Sequence, residues 1–317
     1  MSDPMDQEPM DEALDNEMED SEEDSEEMDE ENEGENETKG IEEAAKKPEV
    51  YLPGKTLKRD EELVVDRSAY RMLHQAQTGA PCLSFDVIRD DFGNSRDAYP
   101  LSMYLLAGTQ AARTHVNNLL VMKITNLSGI KSDDESEDES DEELSDSEDE
   151  GSHSKLPVMA IASIKHQGCV NRVRCAQVGQ TCFAASWSEL GRVNLWNLDE
   201  QLKAVESPAL LSSYNKKVEK SDAGPKPFFT FKGHSVEGYG IDWCPTEPGT
   251  LASGDCKGNI HIWRHTDGAS WNVDQRPYNS HAPYSVEDLQ WSPNEKNVLA
   301  SCSVDKRSFG TTFSELK

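Results

Sequence analysis

The second half of the chain repeats itself, and this limits the fold more tightly than any other feature of the sequence. The best copy opens at Lys232-Gly233-His234. It continues through Ile241-Asp242-Trp243-Cys244-Pro245 and Leu251-Ala252-Ser253-Gly254-Asp255, and closes at Gly258-Asn259-Ile260-His261-Ile262-Trp263. A second copy starts at His281 and runs through Asp288-Leu289-Gln290-Trp291-Ser292-Pro293 and Val298-Leu299-Ala300-Ser301-Cys302. A weaker copy runs from His166 through Ala184-Ala185-Ser186 to Gly191-Arg192-Val193-Asn194-Leu195-Trp196. His and Trp stand 30 positions apart in the weak copy and 29 apart in the best one.

Each unit reads as short antiparallel strands, with tight turns at Cys256–Gly258 and Ser188–Gly191. One such sheet cannot bury both faces alone, so the units must stack around an axis. The Gly-His opening, the Trp-x-Pro, the Leu-Ala-Ser run and the Ile-x-Ile-Trp ending resemble those of WD-repeat proteins. The resemblance implies an all-β fold, a WD-repeat β-propeller. It also implies a buried hydrogen-bonded set of His, strand Ser or Thr, turn Asp and closing Trp in each blade. His234, Ser253 and Trp263 match three of these. The turn Asp position reads as Lys257, with Asp255 as a nearby substitute. In the next copy His281, Ser301 and Asp305 match and the Trp is missing. These histidines read as blade fasteners, not as catalysts or ligands.

After Asp305 the pattern calls for an apolar-x-apolar-Trp strand, but the chain reads Ser308-Phe309-Gly310-Thr311. The repeat is therefore expected to break off mid-blade, with WD repeats over 156–305 and an aberrant tail over 306–317. A seven-bladed ring at about 40–45 residues per blade needs roughly 300 residues of blade. About three to four blades fit here: a degenerate first one over 82–125, two fuller ones and part of a fourth. The expectation is a C-terminally shortened form that exposes a strand edge and an apolar face. Expressed alone, it should aggregate or need a partner. A monodisperse monomer with a sharp, cooperative melt would count against this.

Upstream of the repeats, Leu63, Val64, Tyr70 and Leu73 share a face at helical spacing, which predicts a helix over Glu61–Gln77. Thr78-Gly79-Ala80-Pro81 stops it. Strand patterns follow over Cys82–Ile88, Leu101–Gly108 and Leu119–Ile124.

The net charge of −30 is not spread evenly. Met1 to Thr38 holds 20 acids and Ser132 to Glu150 holds 13, with no Lys or Arg in either. The remaining residues are near neutral. Such tracts cannot bury enough apolar surface to offset about 1–2 kcal/mol of backbone entropy per residue, so 1–49 and 131–155 are expected to be disordered. A polyanionic insert must leave from a surface loop between strands. Tracts of this sign repel nucleic acid and anionic membranes and attract basic proteins. The carboxylates expected to hold such partners include Asp133, Asp134, Glu135, Glu137, Asp138, Glu139, Asp141, Glu142 and Glu143. Ser21, Ser132, Ser136, Ser140 and Ser147 each precede an acid by three residues, and Ser145 sits among acids. These are candidate phosphosites for an acid-directed kinase, each adding about −1.5 to −2 charges.

Two features narrow the resemblance. Tyr70, Leu73, His74, Gly79-Ala80-Pro81-Cys82-Leu83-Ser84-Phe85-Asp86 and Leu101–Thr109 resemble the N-terminal module of histone-binding WD-repeat chaperones, a span read as 50–130. The acidic arm and insert, with Thr266-Asp267-Gly268-Ala269-Ser270-Trp271 and Asp274-Gln275-Arg276-Pro277, are similar to the glutamate-rich WD-repeat family over about 50–305. That resemblance implies a non-enzymatic chaperone or assembly factor in the nucleus and nucleolus. Its partners would be basic: a large-subunit ribosomal protein, histones, or both. It also implies that the 61–77 helix forms one wall of a histone groove whose other wall comes from a later blade.

Enzyme chemistry finds little support. The sequence has no Gly-rich phosphate loop, no nucleophile elbow and no His-x-x-x-His pair on a helix. No cofactor or metal is implied. The seven cysteines are odd in number and lack CxxC spacing, which reads as reduced, mostly buried thiols. No apolar run approaches 18 residues, and the acidic N-terminus is unlike a secretory signal. The alternative is a WD-repeat scaffold or a ubiquitin-ligase substrate adaptor on chromatin. The adaptor role would call for a Trp-Asp-x-Arg ending, where this chain has Trp196-Asn197 and Trp263-Arg264.

Overall fold

A computed structural model describes residues 50–59, 61–130, 156–221, 224–266 and 270–312. The chain divides into Met1–Leu63 and Val64–Lys317. Among the described residues of the first unit there is no helix or strand, only turns closed by Lys55 N–H to Leu52 O and Glu61 N–H to Lys58 O.

The second unit consists of antiparallel sheets. The first contains β1 (Cys82–Ile88), β2 (Leu101–Thr109), β3 (Asn118–Leu127) and β4 (Val158–Lys165), paired in that order. The second contains β5 (Val170–Val178), β6 (Thr181–Ser188), β7 (Arg192–Asn197) and β8 (Phe229–Phe231). The third contains β9 (Gly240–Trp243), β10 (Leu251–Gly254), β11 (Ile260–Thr266) and β12 (Ser270–Val273). The fourth contains β13 (Val286–Trp291), β14 (Val298–Ser303) and β15 (Ser308–Thr312). Two short helices, α1 (Asp199–Ala204) and α2 (Pro208–Lys220), interrupt the second sheet between β7 and β8.

Three apolar cores lie between successive sheets. Leu106, Leu119, Val121 and Ile164 of the first sheet pack with Val170, Val173, Ala184 and Trp196 of the second. Trp187, Val193, Leu195 and Phe231 pack with Ile241, Trp243, Trp263 and Trp271 of the third. Ala252, Ile260 and Ile262 pack with Val286, Leu289, Trp291 and Leu299 of the fourth. Each inner sheet thus buries one face forward and one backward, which is why these strands carry apolar residues at odd and even positions alike. This is the stacking of propeller blades.

Several expectations are corrected. No helix spans Glu61–Gln77; one 3-10 turn forms at Arg67–Ala69. Leu63, Val64, Val65 and Tyr70 are exposed, so the apolar stripe has no surface to bury against, and a short helix in water is marginal without one. The repeat pattern places the start of the WD repeats at 156, but Val158–Lys165 completes the first sheet, pairing from Thr125↔Val158 to Asn118↔Lys165. The residues after Asp305 are not an aberrant tail. Ser308–Thr312 pairs with β14 from Cys302↔Ser308 to Val298↔Thr312. Strand pairing uses backbone groups, so it survives the loss of the expected side-chain pattern.

Candidate functional site

The histidines of the repeat are organised by the turns of each sheet. In the third sheet Trp263 Nε1–H donates to Ser253 Oγ at 3.0 Å. Ser253 Oγ lies 2.8 Å from His234 Nε2, and His234 Nδ1 lies 2.9 Å from Asp255 Oδ2. Asp255 is the turn acid, because its other oxygen accepts the N–H groups of Lys257 and Asn259, both at 2.9 Å. A carboxylate two residues earlier than position 257 reaches both its own turn and the preceding loop. Burial holds the His234 pKa below the usual range, outweighing the bond to Asp255. Burial also opposes ionisation of Asp255, but the hydrogen bonds from His234 and Asn259 outweigh it and keep that carboxyl below the usual range. The consistent arrangement is a neutral imidazole that donates to Asp255 and accepts from Ser253.

The second sheet repeats the set with one substitution. His166 Nε2 lies 3.1 Å from Ser186 Oγ, and Trp196 Nε1–H donates to the same oxygen at 3.0 Å. His166 Nδ1 faces Gly168 O at 2.9 Å where the third sheet has a carboxylate. In the fourth sheet His281 lies 3.0 Å from Asp305 Oδ2 and 2.9 Å from Ser301 Oγ. Thr311 occupies the Trp position, opposite Leu299 as Trp263 is opposite Leu251, and the Phe309 ring lies 4.8 Å from His281. The imidazoles of all three sets are buried. Such geometry fastens sheets and offers no reacting group to a ligand.

Adjacent sheets are clasped by carboxylates on their first strands. Asp86 Oδ2 accepts Cys175 N–H at 2.7 Å, and Asp242 Oδ2 accepts Trp291 N–H at 2.7 Å. Burial pushes the Asp242 carboxyl up to about 6, against the opposing pull of the Trp291 N–H and Arg174. A raised carboxyl pKa contributes stability that is full below the unfolded value and lost as pH rises through about 6. Asp242→Asn keeps an acceptor oxygen and removes the charge. Its denaturation midpoint should equal or exceed that of the parent at pH 7.5, with the gain shrinking toward pH 4.5. A loss at pH 7.5 would contradict this.

The insertions leave from equivalent places. The connection from β3 to β4 carries 131–155, and the connection from β7 to β8 carries the helices. The base of the first is tied down: Ile130 N–H donates to Arg71 O at 3.0 Å, and His74 Nε2 lies 3.0 Å from Ser128 O. The helices pack on β4 through Tyr214 O–H to Ser163 O at 2.9 Å. Glu206 accepts from Tyr104 O–H and Lys123 Nζ, both at 2.6 Å. Sequence reasoning missed these helices, although Ser207-Pro208 is a start signal: the Ser207 hydroxyl caps Leu210 N–H and proline fills the first turn.

Asp133, Asp134, Glu135, Glu137, Asp138, Glu139, Asp141, Glu142 and Glu143 lie outside the described residues. So do the candidate phosphosites Ser21, Ser132, Ser136, Ser140, Ser145 and Ser147. Cys182 and Cys244 are buried and the other five cysteines half-buried, fewer buried than expected. Burial pushes the Cys182 thiol up to about 12, which makes it a poor nucleophile. Among the described residues no helix is long and apolar enough to cross a membrane, and no group of three or more His, Cys, Asp or Glu could hold a metal ion.

Sheets stacked in this way, with His–Ser–Trp sets at their joints, define a protein of the WD-repeat class. Residues 225–264 match the family model described as WD domain, G-beta repeat. Residues 60–128 match the family model of the histone-binding protein RBBP4 and its counterpart in the CAF1 complex. Relatives include Protein HEAT STRESS TOLERANT DWD 1 of Arabidopsis thaliana, 42% identical over 81% of this chain and 56% of that protein. Ribosome assembly protein rrb1 of Schizosaccharomyces pombe is 37% identical over 80% of this chain and 50% of its own length. Glutamate-rich WD repeat-containing protein 1 of Dictyostelium discoideum is 39% identical over 79% and 50%. The chain is thus a WD-repeat protein with a glutamate-rich WD-repeat protein and a ribosome assembly protein among its homologues. It spans about half the length of the curated relatives it matches.

Proposed function

We propose that the protein is a non-enzymatic chaperone or assembly factor for basic nuclear proteins, acting in ribosome biogenesis, in histone binding, or in both. The observation that carries this reading is the match of four fifths of the chain to a protein named for ribosome assembly, together with a histone-binding family match over 60–128. The cargoes are large-subunit ribosomal proteins and histones, whose positive charge complements the tracts at 1–38 and 132–150. The sheets serve as a near-neutral body from which the second tract leaves between β3 and β4. The site of action is the nucleus and nucleolus. Capture of native cargo by the chain, followed by mass spectrometry, tests this. Enrichment of large-subunit ribosomal proteins or histones supports it. Recovery of neither overturns it.

The tract serines tune the charge. Mass spectrometry of cellular protein should find phosphate on Ser132, Ser136, Ser140 or Ser147, each adding about −1.5 to −2 charges. Uniformly unmodified tracts would contradict this.

A further inference from the structure

The first strand of each later sheet sends one aliphatic side chain into the sheet before it. These are Val173 at 0% exposed, Ile241 at 0% and Leu289 at 3%. The equivalent residue of β1 is Phe85. It directly precedes Asp86 as Ile241 precedes Asp242, and the two aspartates make the same bond to the following sheet. Yet Phe85 is 65% exposed, and Leu83 and Val87 on the same face are also exposed. Ser84 and Asp86, on the opposite face, hold β5. The first sheet therefore presents a face whose counterparts elsewhere are buried by a neighbouring sheet.

The fourth sheet offers a matching surface. In the third sheet the floor facing Leu289 is the cross-strand pair Ala252↔Ile262. In the second sheet the same pair is Ala185↔Leu195. In the fourth it is Ala300↔Gly310, with both residues exposed. A Cβ added at Gly310 would meet nothing within 4 Å. The fourth sheet thus lacks one large side chain at the point where Phe85 carries a ring larger than Val173, Ile241 or Leu289. The volumes compensate: a large residue meets a missing one. Gln290 stands where Asp86 and Asp242 present an acceptor to the next sheet.

We infer that the exposed face of β1 in one molecule docks on the β13–β15 sheet of a second copy of this chain, with Phe85 seated over Ala300 and Gly310. The contact continues the joint that already links the sheets within one chain. Two copies joined head to tail at both ends close into a ring of eight sheets, and closure is what separates a dimer from a filament in a heterologous contact.

Sedimentation equilibrium of the full chain at micromolar concentrations tests this. The expected mass is twice 35.3 kDa. Phe85→Asp and Gly310→Leu should each shift the population to monomer, with an unchanged far-ultraviolet circular dichroism spectrum, because both positions are exposed. Phe85→Ala combined with Gly310→Leu exchanges large for small across the contact and should recover at least half of the dimer. A monomeric parent, an open-ended series of larger species, or a dimer untouched by Phe85→Asp would each overturn the proposal.

Discussion

Replacing Trp263 with alanine will cost the protein about 3–5 kcal/mol, the range for deleting a large aromatic from a packed core. Trp263 is fully buried between the second and third sheets, and its N–H is a donor to Ser253. Removing it opens a cavity against Phe229 and Phe231, whose rings lie 5.8 and 5.1 Å away. Against a typical total of about 5–15 kcal/mol the loss is large. Guanidinium melts of the second unit check it, and a change under about 1 kcal/mol would contradict this view of the set. Ser253→Ala should cost less, about 1–3 kcal/mol, by leaving His234 and Trp263 without their shared partner. The set also carries a pH signature. His234 and Asp255 both have folded pKa values below their usual ones, so their contribution is full above about pH 6.5 and falls as the solution is acidified through the folded values. Asp242 acts in the opposite direction, and Asp242→Asn isolates the histidine effect.

The second large effect concerns binding. Removing both 1–38 and 132–150 deletes 33 of the 61 acids and brings the net charge from −30 to near neutral. Electrostatic steering changes association rates by about 10–1,000-fold, and loss of that order is expected for a basic cargo in stopped-flow measurements at low salt. Removing one tract should give an intermediate loss, because both carry the same sign. The described sheets should keep their melting behaviour, since the second tract leaves from a connection whose flanking strands pair with each other. An association rate unchanged by the double deletion would assign the binding to the sheets instead.

Part of this architecture is visible in the residues for a simple reason. The closing Trp, the strand Ser and the preceding His are each the only polar or aromatic residue that can complete the set at that spacing. Trp263, Ser253 and His234 are therefore legible from one chain. Asp255 is harder, because the turn that it closes on Lys257 and Asn259 sets its position and turns vary in length. β4 is hidden because 131–155 separates it from its partner β3, and pairing across such a gap leaves no local signal. The 61–77 stripe misleads for the opposite reason. Its spacing is helical, but periodicity describes only a helix that has something to pack against. β15 escapes the pattern because its side chains lack the closing Trp, although its pairing rests on backbone groups. The helices α1 and α2 carry a legible start at Ser207-Pro208 that the strand-dominated context masks.

The salt dependence of binding tests the central claim most directly. Fluorescence anisotropy of a labelled core histone or large-subunit ribosomal protein, titrated with the full chain at several ionic strengths, gives the slope of log affinity against log salt. A steep negative slope that flattens when 1–38 and 132–150 are removed is the predicted result. A shallow slope, or a steep one that persists without the tracts, would contradict the account.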